Sequence, residues 1–301
     1  MQLEVLRLYC DVVRLRSYSR GARQNHISQS AASQSIRKLE GELGVALIDR
    51  TQRPLMATPE GKAFYVSCLG LLDSWEKAKA SFGGAKARVD GVVRVAAIYS
   101  VGVHDVSRYM QHFMSAYPEA RVELECLHPP EVVEAVLSGA ADVGIMSYPP
   151  SDRGLTVVHL PAEPMALVCH PDHRLARRKT IRPADLNGEA FVAFDAELMI
   201  RKAIDRTLRH HEVRVKVVME LDNIETIKQA ITVAAGVSIL PRPTVAHEAQ
   251  LGTLVVVPIS IRELVRPVGI IHRRHQSVTP TVDRFIQFVQ EEAERLKPKL
   301  R

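Results

Sequence analysis

The run Ser28-Gln29-Ser30-Ala31-Ala32-Ser33-Gln34-Ser35-Ile36-Arg37-Lys38-Leu39-Glu40-Gly41-Glu42-Leu43 decides how this chain is read. Ser28 is a favourable N-cap, and Ala32, Ile36, Leu39 and Leu43 recur at helical spacing to make one apolar stripe for packing on preceding helices. Gln29, Ser30, Ser33, Gln34 and Arg37 fall on the opposite face and, with Ser28, form a row of hydrogen-bonding side chains. Such groups suit base edges and phosphates, although many polar helix faces are merely solvated.

Upstream, Leu3, Leu6, Leu8, Val12 and Val13 predict a helix from Gln2 to Leu15, and Ser19 can cap a short second helix ending near Asn25. The turn at His26-Ile27 then makes a helix-turn-helix, whose second helix enters a major groove. Downstream, Ile48 to Arg50 and Leu55 to Ala57 read as a small hairpin that would carry Arg50 and Arg53 as a wing at the DNA backbone or minor groove.

Thr58-Pro59-Glu60-Gly61 supplies a cap, a proline at the first helical position and an early acid, and a long helix follows to about Ala87. Its apolar side, Ala63, Val66, Leu69, Leu72 and Trp75, predicts pairing with a copy of itself, the alternative being packing on its own chain. Gly83-Gly84 and Asp90-Gly91 mark a linker.

Beyond it strands and helices alternate. Strands are expected at Val92 to Ala97, Val122 to Leu127, Val143 to Ser147, Met165 to Cys169, Ala190 to Phe194, Val213 to Met219 and Val265 to Ile271. Helices are expected at Val101 to Ala116, Pro130 to Ser138, Glu197 to Arg209, Ile224 to Ala235 and Val278 to Leu296. The pattern argues a mainly parallel sheet arranged as two small α/β subdomains, with the last strand and helix returning to complete the first.

At 301 residues the chain has room for two or three domains. No apolar run approaches the ~18 residues of a membrane span, and Met1 to Tyr9, with Glu4 and Arg7, lacks a signal-peptide pattern. A soluble, cytoplasmic protein with no membrane partner is expected. Residues 1–90 hold 14 Lys and Arg against 9 Asp and Glu, whereas the remainder holds 26 against 25, so the basic surplus sits where the helix-turn-helix is predicted.

Cys10, Cys68, Cys126 and Cys169 are widely spaced and read as free thiols. Neither Cys169-His170-Pro171-Asp172-His173 nor the pairs around His210 and His272 has the spacing of a convincing metal site, and no metal is expected. With no Gly-x-Ser-x-Gly, P-loop or dinucleotide glycine pattern, no catalytic residue and no enzyme is expected.

Ala22 to Asn25, the run from His26 to Glu40, Leu43-Gly44-Val45-Ala46-Leu47-Ile48-Asp49-Arg50 and Thr58-Pro59-Glu60-Gly61 closely resemble the LysR-type transcriptional regulators. The resemblance continues through Tyr117-Pro118, Gly139-Ala140-Ala141-Asp142-Val143-Gly144-Ile145, His170-Pro171-Asp172-His173-Arg174-Leu175-Ala176 and Gly236-Val237-Ser238-Ile239-Leu240-Pro241, and so covers nearly the whole chain. It implies an α/β protein with an N-terminal winged helix-turn-helix at 1–58, a linker and dimerisation helix at 59–90, and a C-terminal effector domain at 91–301. That domain would be two-lobed and similar to periplasmic binding proteins, with lobe I at 91–161 and 265–301 and lobe II at 162–264.

The implied partners are double-stranded DNA with a dyad-symmetric promoter site, a second copy in a dimer, a tetramer of two dimers, RNA polymerase and a small-molecule co-inducer, with no cofactor. Two positions depart from the family pattern. Gly21 stands where alanine is usual, and Asn25, where a buried leucine is usual, would either loosen the second helix or hydrogen-bond across the turn.

Ligands of open α/β sheets collect at strand carboxyl ends beside helix N-termini, a condition met by Ser100, His128, Ser147 and Thr226. The resemblance points to the same positions, with Tyr99, Val101, Phe194 and Asp195 as further walls. A small polar or anionic metabolite is expected, amino-acid-like if Asp195 faces the cleft. Two other readings stand beside this one: a solute-binding or enzymatic α/β protein whose N-terminal helices only mediate association, and a nonspecific architectural DNA binder.

Overall fold

The computed structural model describes residues 3–52, 54–82, 89–102, 106–261, 263–274 and 278–295. The chain forms two compact units, one built on Met1–Arg88 and the other on Val89–Leu137, Ala141–Ser277 and Thr281–Arg301.

In the first unit, α1 (Leu3–Arg14), α2 (Tyr18–Gln24) and α3 (Gln29–Leu43) close around Leu6, Tyr9, Val12, Ala22, Ile36 and Leu39, all buried. Ser17, not Ser19, caps α2, its Oγ accepting from Arg20 N at 3.3 Å. A Cβ at Gly21 would lie 2.5 Å from Val12 Cγ2, so the missing side chain sets how closely α2 approaches α1. Asn25 does not loosen α2: its Nδ2 donates to Asp11 Oδ2 of α1 at 2.8 Å and to Gly21 O at 2.9 Å.

A two-stranded hairpin follows, β1 (Ile48–Asp49) pairing antiparallel with β2 (Met56–Ala57). Thr58 ties it to α4 (Pro59–Phe82), since its Oγ1 accepts from Gly61 N at 2.9 Å and donates to Ala46 O at 2.8 Å. The apolar side predicted for this helix is divided. Tyr65, Cys68 and Leu69 are buried in the unit's own core, while Val66, Leu71 and Trp75 are exposed, because only the first turns lie against α1.

The second unit carries a seven-stranded sheet. Parallel pairs join β3 (Gly91–Ile98) to β4 (Ala120–Leu127) and to β5 (Val143–Ser147). Both β5 and the long β6 (Leu155–Cys169) pair antiparallel with β11 (Val265–Arg273). Further along, β6 pairs with β9 (Ser238–Pro241) and β10 (Val255–Val257). A separate parallel pair, β7 (Ala190–Phe194) and β8 (Lys216–Leu221), covers the second lobe. Two strands, β6 and β11, therefore run from one lobe to the other.

Only the last third of β6 was expected, because Pro161 and Pro164 lack N–H groups and read as a break. The expected helix from Val101 to Ala116 is instead a turn, α5 (Tyr99–Val101), followed by α6 (Ser107–Ala116), with 103–105 outside the described residues. β8 starts at Lys216, later than predicted, since Val213 is buried and its N–H donates to Leu208 O at the end of α8 (Met199–His210). The remaining helices are α7 (Pro129–Ser138), α9 (Ile224–Thr232), α10 (Ala246–Leu251) and α11 (Pro280–Arg295). α11 returns to the first lobe, where Phe285 meets Phe113 of α6 edge-on at 5.1 Å.

Candidate DNA-binding helix and effector cleft

α3 begins at Ser28, whose Oγ accepts from Ala31 N at 3.1 Å, and ends at Gly44 in the left-handed conformation with φ 71°. Ala32, Ile36 and Leu39 are fully buried, so the helix is rotationally fixed. Leu43, counted with that stripe, is 40% exposed because the helix ends there. Ser28, Gln29, Ser30, Gln34 and Arg37 are exposed and Ser33 is half-buried.

Arg50 is engaged from within. Its Nη2 donates to Glu40 Oε2, and Glu40 Oε1 accepts from Leu47 N at 2.9 Å and Ile48 N at 3.1 Å. Buried Glu40 thus clamps the hairpin to α3. The sequence signal was available, a carboxylate four residues after Ile36 on the apolar side of the helix. Arg53 lies outside the described residues.

In the second unit a cavity of about 510 Å³ opens between the ends of β3, β4, β5 and β7 and the starts of α7, α8 and α9. Tyr99, Ser100, His128, Ser147 and Phe194 line it, as the sequence expects. Val101, Asp195 and Thr226 are not brought to it. Val101 faces a second cavity, Asp195 is exposed with Oδ1 accepting from Glu197 N at 2.8 Å, and Thr226 Oγ1 donates to Asn223 O at 2.7 Å.

Residues not anticipated complete the walls, above all Met146, Tyr148, Ile200, Asn223 and Arg266. Arg266, 1% exposed, sits where β11 leaves the lobe and is paired in register with Glu163 of β6. Its Nε donates to Glu163 Oε2 at 2.6 Å and its Nη1 to Ser100 Oγ at 2.9 Å. The cation is therefore neutralised by the protein itself. An arginine inside an apolar strand was the available signal.

Tyr148 holds a left-handed backbone, φ 50°, fixed by its N–H donating to Pro267 O at 2.9 Å. Its Oη is buried without a hydrogen-bond partner. Burial pushes this phenol up, against the opposing pull of Arg266 and Arg206. Tyr99 and His128 meet edge-on at 5.9 Å.

A helix fixed by its buried face, its polar face open and a hairpin beside it, precedes a two-lobed unit with a cleft. Residues 3–62 match the family described as bacterial regulatory helix-turn-helix protein, lysR family, and residues 86–294 match the LysR substrate binding domain. The chain belongs to the LysR family.

Among curated LysR-type relatives, the RuBisCO operon transcriptional regulator of Allochromatium vinosum is 25% identical over 300 residues, spanning 100% of this chain and 99% of its own. A full-length OxyR variant from Pseudomonas aeruginosa is 22% identical with a TM-score of 0.79, covering 98% of this chain and 95% of its own. Full-length CbnR complexed with its target DNA is 21% identical with a TM-score of 0.61, covering 97% and 100%. These solved structures share the LysR fold. No helix among the described residues is long and apolar enough to cross a membrane.

Proposed function

We propose that this chain is a cytoplasmic, homo-oligomeric transcriptional regulator without enzymatic activity. It reads a dyad-symmetric promoter site in double-stranded DNA and answers to a small molecule held in the cleft. The observation that carries this reading is α3, with Ala32, Ile36 and Leu39 buried while Gln29, Ser30, Gln34 and Arg37 stand exposed. The complex of the related CbnR with target DNA supports it.

In this reading Gln34 and Gln29 approach base edges, Ser28, Ser30, Ser33 and Arg37 position the helix, and the hairpin carrying Arg50 and Arg53 meets the backbone. The domains are 1–58, 59–90 and 91–301, with lobe I at 91–161 and 265–301 and lobe II at 162–264. The exposed Val66, Leu71 and Trp75 of α4 support dimerisation. A tetramer of two dimers and contact with RNA polymerase belong to the same proposal. A ligand that favours one arrangement of the lobes shifts the DNA-binding equilibrium only through its difference in affinity between states.

Fluorescence anisotropy with promoter DNA across a fourfold range of salt tests the reading. Affinity falling by roughly 10³ or more marks six or more phosphate contacts. A flat salt response would leave a solute-binding or enzymatic protein as the better reading, and equal affinity for all sequences an architectural one.

A further inference from the structure

We infer that the cleft takes a mostly apolar molecule without negative charge, whose hydroxyl or ammonium end meets the Ser147 hydroxyl and the buried Tyr148 Oη. This rests on the effector-cleft reading above and departs from the anionic metabolite that the sequence suggests.

Three helix N-termini border the cavity, and the protein's own groups close each to an anion. α7 opens with Pro129 and Pro130, which have no N–H to offer, and Glu131 Oε2 accepts from His128 N at 3.0 Å. At α9, Asn223 Oδ1 accepts from Glu225 N at 2.8 Å, and Glu225 adds a carboxylate to the first turn. Before α8, Asp195 Oδ1 takes Glu197 N at 2.8 Å. The N–H groups and dipoles that would otherwise attract an anion are largely spent.

Lining side chains repeat the pattern. Arg266 is the one Lys or Arg side chain among the described lining residues, and Glu163 balances it at 2.6 Å. Glu197 and Asp222 at the rim are acids. A carboxylate entering here would lose its hydration with no free cation to replace it. Most of the remaining wall is apolar, from Ile98 and Leu127 through Met146 and Phe194 to Met199 and Ile200. Tyr148 Oη, buried without a partner, is a donor and acceptor that water or a ligand must satisfy.

Calorimetry on the full chain with three probes of one skeleton, phenylpropanol, phenylpropylamine and phenylpropanoate, tests this directly. The alcohol and the amine are expected to bind at least roughly tenfold more tightly than the carboxylate. The exposed Met199 lies on the wall, so Met199→Lys adds a cation there without disturbing the core. It should weaken the amine and strengthen the carboxylate. A carboxylate that binds the native chain as tightly as the amine overturns the inference and leaves the cleft reading intact. If no probe binds, or binding ignores Met199→Lys, the cleft reading fails and the inference falls with it.

Discussion

Gly61 lies so close to Leu47 that a Cβ on it would stand 2.0 Å from the Leu47 carbonyl oxygen. The same carbonyl accepts from Thr58 N at 3.0 Å, and Tyr9 Oη donates to Gly61 O at 2.8 Å. One glycine therefore joins α1, the hairpin and the start of α4. Gly61→Ala is expected to destabilise the first unit by about 2–4 kcal/mol, an overpacking effect with backbone on both sides. Urea unfolding of the two proteins measures it, and a loss under about 0.5 kcal/mol would show that the contact relaxes freely.

Asn25 replaces an apolar contact by a polar one, tying α2 to α1 through Asp11 at 2.8 Å. Because the acceptor is a carboxylate and the pair is partly buried, Asn25→Ala should cost about 1–2 kcal/mol. A double-mutant cycle with Asp11→Ala separates this bond from the Asp11–Arg14 pair. Additive losses would contradict a direct tie.

The two faces of α3 predict different kinds of damage. Gln34→Ala should weaken the cognate site by about 1–3 kcal/mol while sparing nonspecific DNA, as a lost base-edge contact does. Glu40→Ala strips the acceptor from Leu47 N, Ile48 N and Arg50, and should cost about 2–3 kcal/mol of stability with the hairpin loosened on every sequence. Anisotropy on both DNAs, with unfolding curves, distinguishes the two. Equal loss of Gln34→Ala on both DNAs would remove it from base reading.

Burial, with Glu189 nearby, pushes the Cys169 thiol up to about 11 from an ordinary 9.0. A group raised in the folded state contributes stability fully present below the unfolded value and lost as pH climbs through the folded one. Stability should therefore fall between about pH 9 and 11, more steeply in the native chain than in Cys169→Ala. Identical slopes would show that this thiol does not titrate differently on folding. At pH 8 the thiol should also resist alkylation until the chain is unfolded.

Much of this was legible where periodicity and capping agree. Ser28, Ala32, Ile36 and Leu39 announce α3, and Thr58 to Gly61 announce α4, because those effects are local. What escaped was long-range. Nothing near Ser17 or Ser19 says which hydroxyl meets a free N–H, and prolines in β6 hide a strand whose pairing partner lies a hundred residues away. Five of eight expected cleft residues line it, since strand ends before helices can be counted along a chain. Arg266 and Tyr148 escaped because their position depends on β11 pairing with β6 and on a left-handed turn after β5.

The central claim is sequence-specific DNA binding through α3. Capture of genomic fragments by the purified chain at near-physiological salt, followed by sequencing, tests it most directly. The account predicts enrichment of one dyad-symmetric motif, lost on Gln34→Ala while the chain remains folded. Uniform recovery of fragments, or none, would contradict it.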